Sequence, residues 1–262
     1  MLFYREIVPK PEFSHLVLSF WEFTAASENF ASIQHEIFPD GYVSLLYHRN
    51  ENFNLKQVFL SGLNLESIVA PVFPTDVYWA MRISPAVCAN LLRADPMIFV
   101  GKRMLEIEKF PHLNDGILKK FNACQNFDEA IAVYENQLRK IDLGKKSFDE
   151  KIEQAVKIIE QRSGEIKISE LAEQLNLSVR QLERRFKSSS GLTPKQFVRA
   201  RRIRATAVDL IENESVNWAN RAAEMGFSDQ SHLVHEFVSI TKRSPNSFAE
   251  KVKQIKHGNL IK

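Results

Sequence analysis

Shifted by 51 positions, the last third of the chain falls back on itself: Ala172 lands on Ala223, Leu182 on Leu233, Phe186 on Phe237, Thr193-Pro194 on Ser244-Pro245 and Phe197 on Phe248. A repeat this short is too small for a domain and long enough for a few helices, so each copy must be one supersecondary unit. The first copy holds the segment "NLSVRQLERRF", Asn176 to Phe186, whose local signals are those of a helix start. Ser178 suits the N-cap, Gln181 completes a capping box, and Leu177 with Leu182 occupies the two positions of a hydrophobic staple. Before them Asn176 tolerates a left-handed backbone, and the short run "SELAEQL" precedes it. This predicts helix, tight turn, helix. The second copy, "AAEMGFSDQSHLVHEF", offers Gly226 for the turn and Ser228 for the cap. The two units are placed at about 168–190 and 219–241. Between them "QFVRARRIRATAVDLI" carries the helical stripe Ile203, Ala207, Leu210 and Ile211, with Arg199, Arg201, Arg202 and Arg204 supplying charge. Ahead of both, Ile152, Val156 and Ile159 mark a further helix ended by Ser163-Gly164.

A helix turns about 100° per residue, which fixes where the arginines of the first unit point. With Leu182 at zero, Phe186 falls at about 40° and Val179 at about 60°, the predicted buried side. Arg180, Arg184 and Lys187 fall opposite, at about 160°, 200° and 140°, with Glu183 and Arg185 on the flanks. Most charged helix faces are simply solvated, but clustered guanidinium forks also match phosphates and guanine edges. Charge distribution points the same way: residues 1–145 carry 14 Lys+Arg against 17 Asp+Glu, and residues 146–262 carry 21 against 15. Two reading helices on one side of B-DNA must meet successive major grooves about 34 Å apart, and a linker helix can set that spacing without a dimer.

Upstream of "DLGKKSFD", where composition changes, the pattern differs. Cutting there gives residues 1–144 and 145–262. "HLVLSFWEF", "IQHEIFPDGYVSLLYH", "QVFLSGL" and "DVYWAMRI" read as strands, with Pro39-Asp40-Gly41 suited to reversing the chain between two of them. Helices are predicted at Ala86 to Ala94 and along the stripe Phe127, Ile131, Tyr134, Leu138 and Ile141. That stripe either packs on its own domain or forms a homodimer; about two heptads are too few to predict a coiled coil. The fold class expected is two-domain α+β: a β-rich barrel with trailing helices, then an all-α domain with two helix-turn-helix motifs.

The residues Ala172, Ser178, Leu182, Arg184, Phe186, Gly191, Pro194, Phe197, Arg201, Gly226, Phe227, Gln230, Leu233, Phe237 and Pro245 together resemble the AraC/XylS family of bacterial transcriptional regulators. The resemblance covers roughly residues 150–252. It implies a seven-helix domain that binds the major groove of double-stranded DNA, with base-reading positions at Arg180, Glu183 and Arg184 and, in the second unit, at Gln230, Ser231 and His235. Helical-wheel position adds Gln181 and Lys187 in the first unit and His232 in the second. This sequence departs from the family at His235, where arginine is usual, at Val238 and at Lys242. The second unit has therefore lost cations, and the first is expected to supply most of the affinity. Residues 1–142, with "FWEF", "PDG" and "RISP", loosely resemble the cupin-like domain of one subgroup, which implies sensing or assembly.

No cofactor is expected. His35 and His48 lack the clustered partners of a cupin metal site, and Cys88 and Cys124 lack metal or disulfide spacing. Phe20, Trp21, Phe23, Tyr42, Tyr78 and Trp79 either build core or line a pocket. The reading that results is a cytoplasmic, non-enzymatic, sequence-specific regulator without a membrane span, modulated by a small-molecule effector or partner, with RNA polymerase as a further partner if it activates. The alternatives are an architectural DNA binder without sequence preference, a cupin-type enzyme, or a DNA-alkylation response protein. The last is disfavoured because neither cysteine sits in a Pro-Cys-His-Arg context.

Overall fold

Strand β2 (Val17–Ala25) follows β1 (Leu2–Ile7), and both join an antiparallel sheet with large side chains on both faces. The computed structural model describes residues 2–25, 31–141, 149–212 and 218–255. With β3 (Ile33–Ile37), β4 (Ser44–Asn50), β5 (Leu55–Ser61), β6 (Ile68–Val72), β7 (Val77–Ile83) and β8 (Met104–Glu106), the strands form a six-stranded sheet, β1-β2-β7-β4-β5-β8, and a separate pair, β3-β6. Register sorts the faces. Phe20, Leu45 and Met81 stand opposite one another on one face, whereas Phe23, His48 and Tyr78 share the other. The first face is covered by helices α1 (Cys88–Leu92), α2 (Ile117–Asn122) and α3 (Phe127–Lys140). The second packs Phe23, Tyr78 and Trp21 against Ile33 and Val72 of the β3-β6 pair.

The stripe on α3 is spent inside its own domain. Phe127, Tyr134 and Leu138 are buried, Ile131 and Ile141 pack against the same core, and the Tyr134 hydroxyl donates to the carbonyls of Leu45 (3.1 Å) and Trp79 (2.8 Å). A dimer built on that stripe is excluded, because the apolar surface it would bury is already covered. Of the six aromatic residues singled out by sequence, Phe20 and Trp79 lie in this helix-side core, Trp21, Phe23 and Tyr78 lie between the two sheets, and Tyr42 reaches the C-terminal half. His48 bonds Asp76 (2.9 Å) and Gln57 (3.1 Å) and stacks on Tyr78, while His35 stacks on Phe23.

One reading of the strands is corrected. Pro39-Asp40-Gly41 does not close a hairpin, because β3 pairs with β6 and β4 with β5 and β7. The segment carries the chain from one sheet to the other, and Asp40 is held there by Arg82 (3.1 Å).

The boundary read at 144/145 lies outside the described residues. Beyond it come α4 (Glu150–Gln161), α5 (Ile168–Gln174), α6 (Val179–Ser190), α7 (Pro194–Glu212), α8 (Trp218–Glu224), α9 (Gln230–Thr241) and α10 (Pro245–Ile255), seven helices among the described residues. Ser163 and Gly164 at positive φ stop the chain after α4, as their sequence suggests. Helices α5-α6 and α8-α9 are the two helix-turn-helix motifs, and α7 joins them. Ile203, Ala207 and Leu210 of α7 are buried as a stripe, whereas the Ile211 side chain lies outside the described residues.

The repeat is not uniform. Ala223, which the shift of 51 pairs with Ala172, is exposed, and the buried residue is Ala222. In the first unit Asn176 takes the left-handed turn two positions before the cap Ser178; in the second Gly226 does so three positions before the cap Asp229. The second turn is one residue longer, so the equivalence changes offset within it. This also moves the cap from Ser228 to Asp229, whose carboxylate accepts from the His232 backbone N–H (2.8 Å).

Candidate nucleic-acid interface

The capping box of α6 forms as its sequence predicts. Gln181 N–H donates to Ser178 Oγ (3.2 Å), and Ser178 N–H donates to Gln181 Oε1 (2.8 Å). This pins the first turn of the helix, and the burial of Leu182 and Phe186 fixes its rotation. Arg180, Gln181, Glu183, Arg184 and Lys187 are all exposed in consequence. Together with Ser178 and with Thr193 at the start of α7 they line one open concavity. Ser178 and Thr193 were missed as site residues because the sequence presents them as helix caps. Thr193 is one, since its Oγ1 accepts from Gln196 N–H (3.2 Å).

Two neighbours on this helix depart from the wheel. Val179, expected inside, lies in the first turn of the helix and is 40% exposed. Arg185, on the flank, is tied through Nε (2.7 Å) and Nη2 (2.6 Å) to the two oxygens of Asp149, the cap of α4. That fork raises the Arg185 pKa and removes the side chain from the outward set.

Three of the four linker arginines are likewise engaged within the protein. Arg201 binds Glu160 (2.7 Å), Arg202 donates to the Gly164 carbonyl (3.1 Å) and lies over the Phe227 ring, and Arg199 meets Glu236 and Ser239. Arg221 pairs with Asp209. By contrast, no acidic partner is recorded for Arg180, Arg184 or Lys187 among the described residues. This face of α6 therefore carries three cations whose side chains can meet phosphates or base edges without first breaking an ion pair.

The second motif presents a different surface. Gln230, Ser231 and His235 are exposed at the start and middle of α9, and so is Val238. His232 is half-buried: its Nδ1 lies 3.1 Å from Ser228 Oγ, and its ring meets Phe227 edge to face. It braces the turn while its side chain stays 41% exposed. Asp229 at the helix start is acidic and held below the usual carboxylate range, first by the His232 backbone N–H. The face is polar and neutral to acidic, as the loss of cations in the sequence predicts.

Residues 171–251 match the family described as "Helix-turn-helix domain". Residues 5–104 match a "Domain of unknown function (DUF6597)". No curated protein is significantly similar in sequence. Among solved structures, the C-terminal domain of AraT, a response regulator from Geobacillus stearothermophilus, is 21% identical with a TM-score of 0.37, covering 39% of this chain and 86% of its own. The DNA-binding domain of AdpA, a global transcriptional factor solved in complex with a target DNA, is 23% identical with a TM-score of 0.36, covering 40% and 94%. ToxT from Vibrio cholerae is 13% identical with a TM-score of 0.43, covering 88% and 98%.

Proposed function

We propose that this chain, which carries a helix-turn-helix domain, is an AraC/XylS-type transcriptional regulator that reads duplex DNA chiefly through α6, with α9 as a weaker second contact. The observation that carries this is that Arg180, Arg184 and Lys187 line one concavity with no acidic partner among the described residues, whereas Arg199, Arg201 and Arg202 of the linker are already engaged. In this reading α6 lies in a major groove. Arg180 and Arg184 contact guanine edges or phosphates, Glu183 accepts from a cytosine amino group, and Gln181, Ser178 and Lys187 hold the backbone. Gln230, Ser231 and His235 of α9 meet the next groove, one turn away.

Residues 1–144 form the sensing or assembly domain in this proposal and residues 145–262 the DNA-binding domain. A small-molecule effector, a second copy of the chain through a surface other than α3, and RNA polymerase are its proposed partners. Regulation then passes through the contacts that join the domains, which are extensive: the apolar core runs without a break from the β-sheet through α4, α5 and α6 to Phe197.

The test is selection from random duplex DNA at a stated salt concentration, with the full chain and with its Arg184→Ala variant. Enrichment of a defined box by the full chain, lost or relaxed at one position in Arg184→Ala, is the expected result. Binding that only fades with salt and enriches nothing would leave an architectural binder.

A further inference from the structure

The chain has two main hydrophobic cores around its helical half, and they divide the helix-turn-helix motifs unequally. The first motif shares its core with the N-terminal domain, in which Phe186 and Phe197 belong to the same cluster as Phe20 and Trp79. The second motif has its own core, formed by Ile203, Ala207, Leu210, Phe227, Leu233, Phe237, Ile240 and Phe248. Helix α7 runs from one core into the other. A single helix fixes a distance, but with one attachment the far body can still bend and twist about it. Orientation is fixed only by a second point of contact.

Glu165, between α4 and α5, touches the second motif at the Gly226 turn, and a further point of contact, at the opposite end of α9, comes from the N-terminal domain. Phe38, just after β3, meets Phe248 of α10 edge to face, ring centres 5.1 Å apart, and Phe248 in turn packs on Phe237 of α9 at 5.5 Å. Around this contact Glu36 pairs with Arg243 (3.4 Å) and Glu66 with Lys242 (2.6 Å). The Ser67 backbone N–H donates to the Ile240 carbonyl (2.8 Å), in the last turn of α9, where a helix leaves its carbonyls without internal partners. Because Ile37 pairs with Ile68, all four N-terminal residues lie at one end of the β3-β6 pair. The N-terminal domain thus caps the C-terminus of the second recognition helix while leaving Gln230, Ser231 and His235 exposed.

We propose that Glu36, Phe38, Glu66 and Ser67 are positioning residues for DNA reading, setting the orientation of α9 relative to α6 and hence the spacing between half-sites that the protein accepts. Spacing specificity is then encoded outside the two helix-turn-helix motifs. Among the described residues the contact comprises one aromatic edge, one backbone hydrogen bond and two ion pairs, of which Lys242–Glu66 is largely solvent-exposed. Its exposed Lys242–Glu66 pair can be broken without opening either core, so a change in the β3-β6 pair would alter which sites are bound as well as how tightly. This rests on the DNA-reading proposal above.

The experiment uses the full chain and DNA in which the selected first box is fixed and the second box is offered at each spacing around one helical turn. Wild-type protein, Phe38→Leu, Lys242→Glu and the charge swap Lys242→Glu with Glu66→Lys are compared. Expected is a sharp optimum for wild type, a several-fold loss of discrimination between adjacent spacings in Phe38→Leu and Lys242→Glu, and recovery in the swap. Affinity for the first box alone should stay unchanged, which a general loss of structure would not allow. A variant profile as sharp as wild type overturns the inference. So does a wild-type protein that recognises the first box and is indifferent to the second at every spacing, although that result leaves the DNA-reading proposal standing. A wild-type protein that selects no box at all defeats the DNA-reading proposal itself.

Discussion

Tyr42 and Phe197 meet edge to face across the domain boundary, ring centres 5.4 Å apart with their planes at 72°. The Tyr42 ring also lies against two guanidiniums, Arg82 at 6.0 Å and Arg201 at 5.4 Å. Its hydroxyl donates to Glu160, which Arg201 holds from the other side. Burial pushes the phenol far above its usual range, so it stays neutral and serves as a donor. One aromatic side chain thereby links the sheet, α4 and α7.

Gly41, next to it, has φ +81°, and a Cβ there would come within 2.6 Å of the Phe197 ring. Gly41→Ala should lower unfolding stability by about 2 to 4 kcal/mol through strain and overpacking. Tyr42→Phe keeps the ring contact and removes only the hydrogen bond to a charged acceptor, so it should cost about 1 to 3 kcal/mol. Denaturant titration of the full chain measures both. Equal stability of Gly41→Ala and wild type would mean the contact yields freely.

Adjacent arginines on α6 should separate cleanly. Arg184→Ala is expected to lose about 1 to 3 kcal/mol of specific DNA binding with an unchanged melting temperature, since its side chain has no partner to lose among the described residues. Arg185→Ala should do the reverse, costing about 1 kcal/mol of stability by stripping Asp149 of its fork, with little change in base preference. Matched binding isotherms and melting curves decide, and identical behaviour of the two would defeat the assignment.

The salt dependence of binding should be carried by the same face. Lys187→Ala is expected to weaken binding to all sequences alike and to reduce the slope of log affinity against log salt by about 1, as for one phosphate contact. Lys242→Glu, remote from α6, should leave the slope for first-box DNA unchanged. A slope insensitive to Lys187 would move the phosphate contact elsewhere.

Introducing carboxylates into the α3 stripe tests its burial. Tyr134→Asp with Leu138→Asp places two charges where both side chains are enclosed, and buried carboxylates without partners are not tolerated. An unfolded or insoluble chain is the expected outcome. A folded monomer in sedimentation would mean that the stripe had faced a second copy.

Acid should weaken the N-terminal domain through Glu6. Burial raises its pKa, but the Arg82 guanidinium and hydrogen bonds from Ser19, Tyr4 and Arg82 outweigh burial and bring it from 4.5 down to about 2. A depressed carboxylate contributes stability that is present above its unfolded value and lost as pH falls through the folded one. Between pH 4.5 and about 2, wild type should therefore lose stability more steeply than Glu6→Gln. Parallel curves for the two proteins would remove Glu6 from the acid response.

By itself the sequence determined the helical half in detail. Capping chemistry placed the start of α6 at Ser178, and the spacing of Leu182 and Phe186 aimed Arg180, Arg184 and Lys187 outward, because both signals are local and act within a turn of helix. Alternation likewise identified the strands, but nothing local told β3 which strand it pairs with, so the segment at Pro39 to Gly41 passed for a hairpin turn and proved to be a crossing between sheets. Only the tertiary structure decided which cations are free. An arginine carries the same charge whether it faces a phosphate or a carboxylate, so Arg185, Arg199, Arg201 and Arg202 look like Arg184 until Asp149, Glu236, Glu160 and the Gly164 carbonyl are brought beside them. The one-residue difference between the two turns was hidden for a similar reason: helices on either side keep their apolar period, and only burial of Ala222 in place of Ala223 reveals where the offset changes.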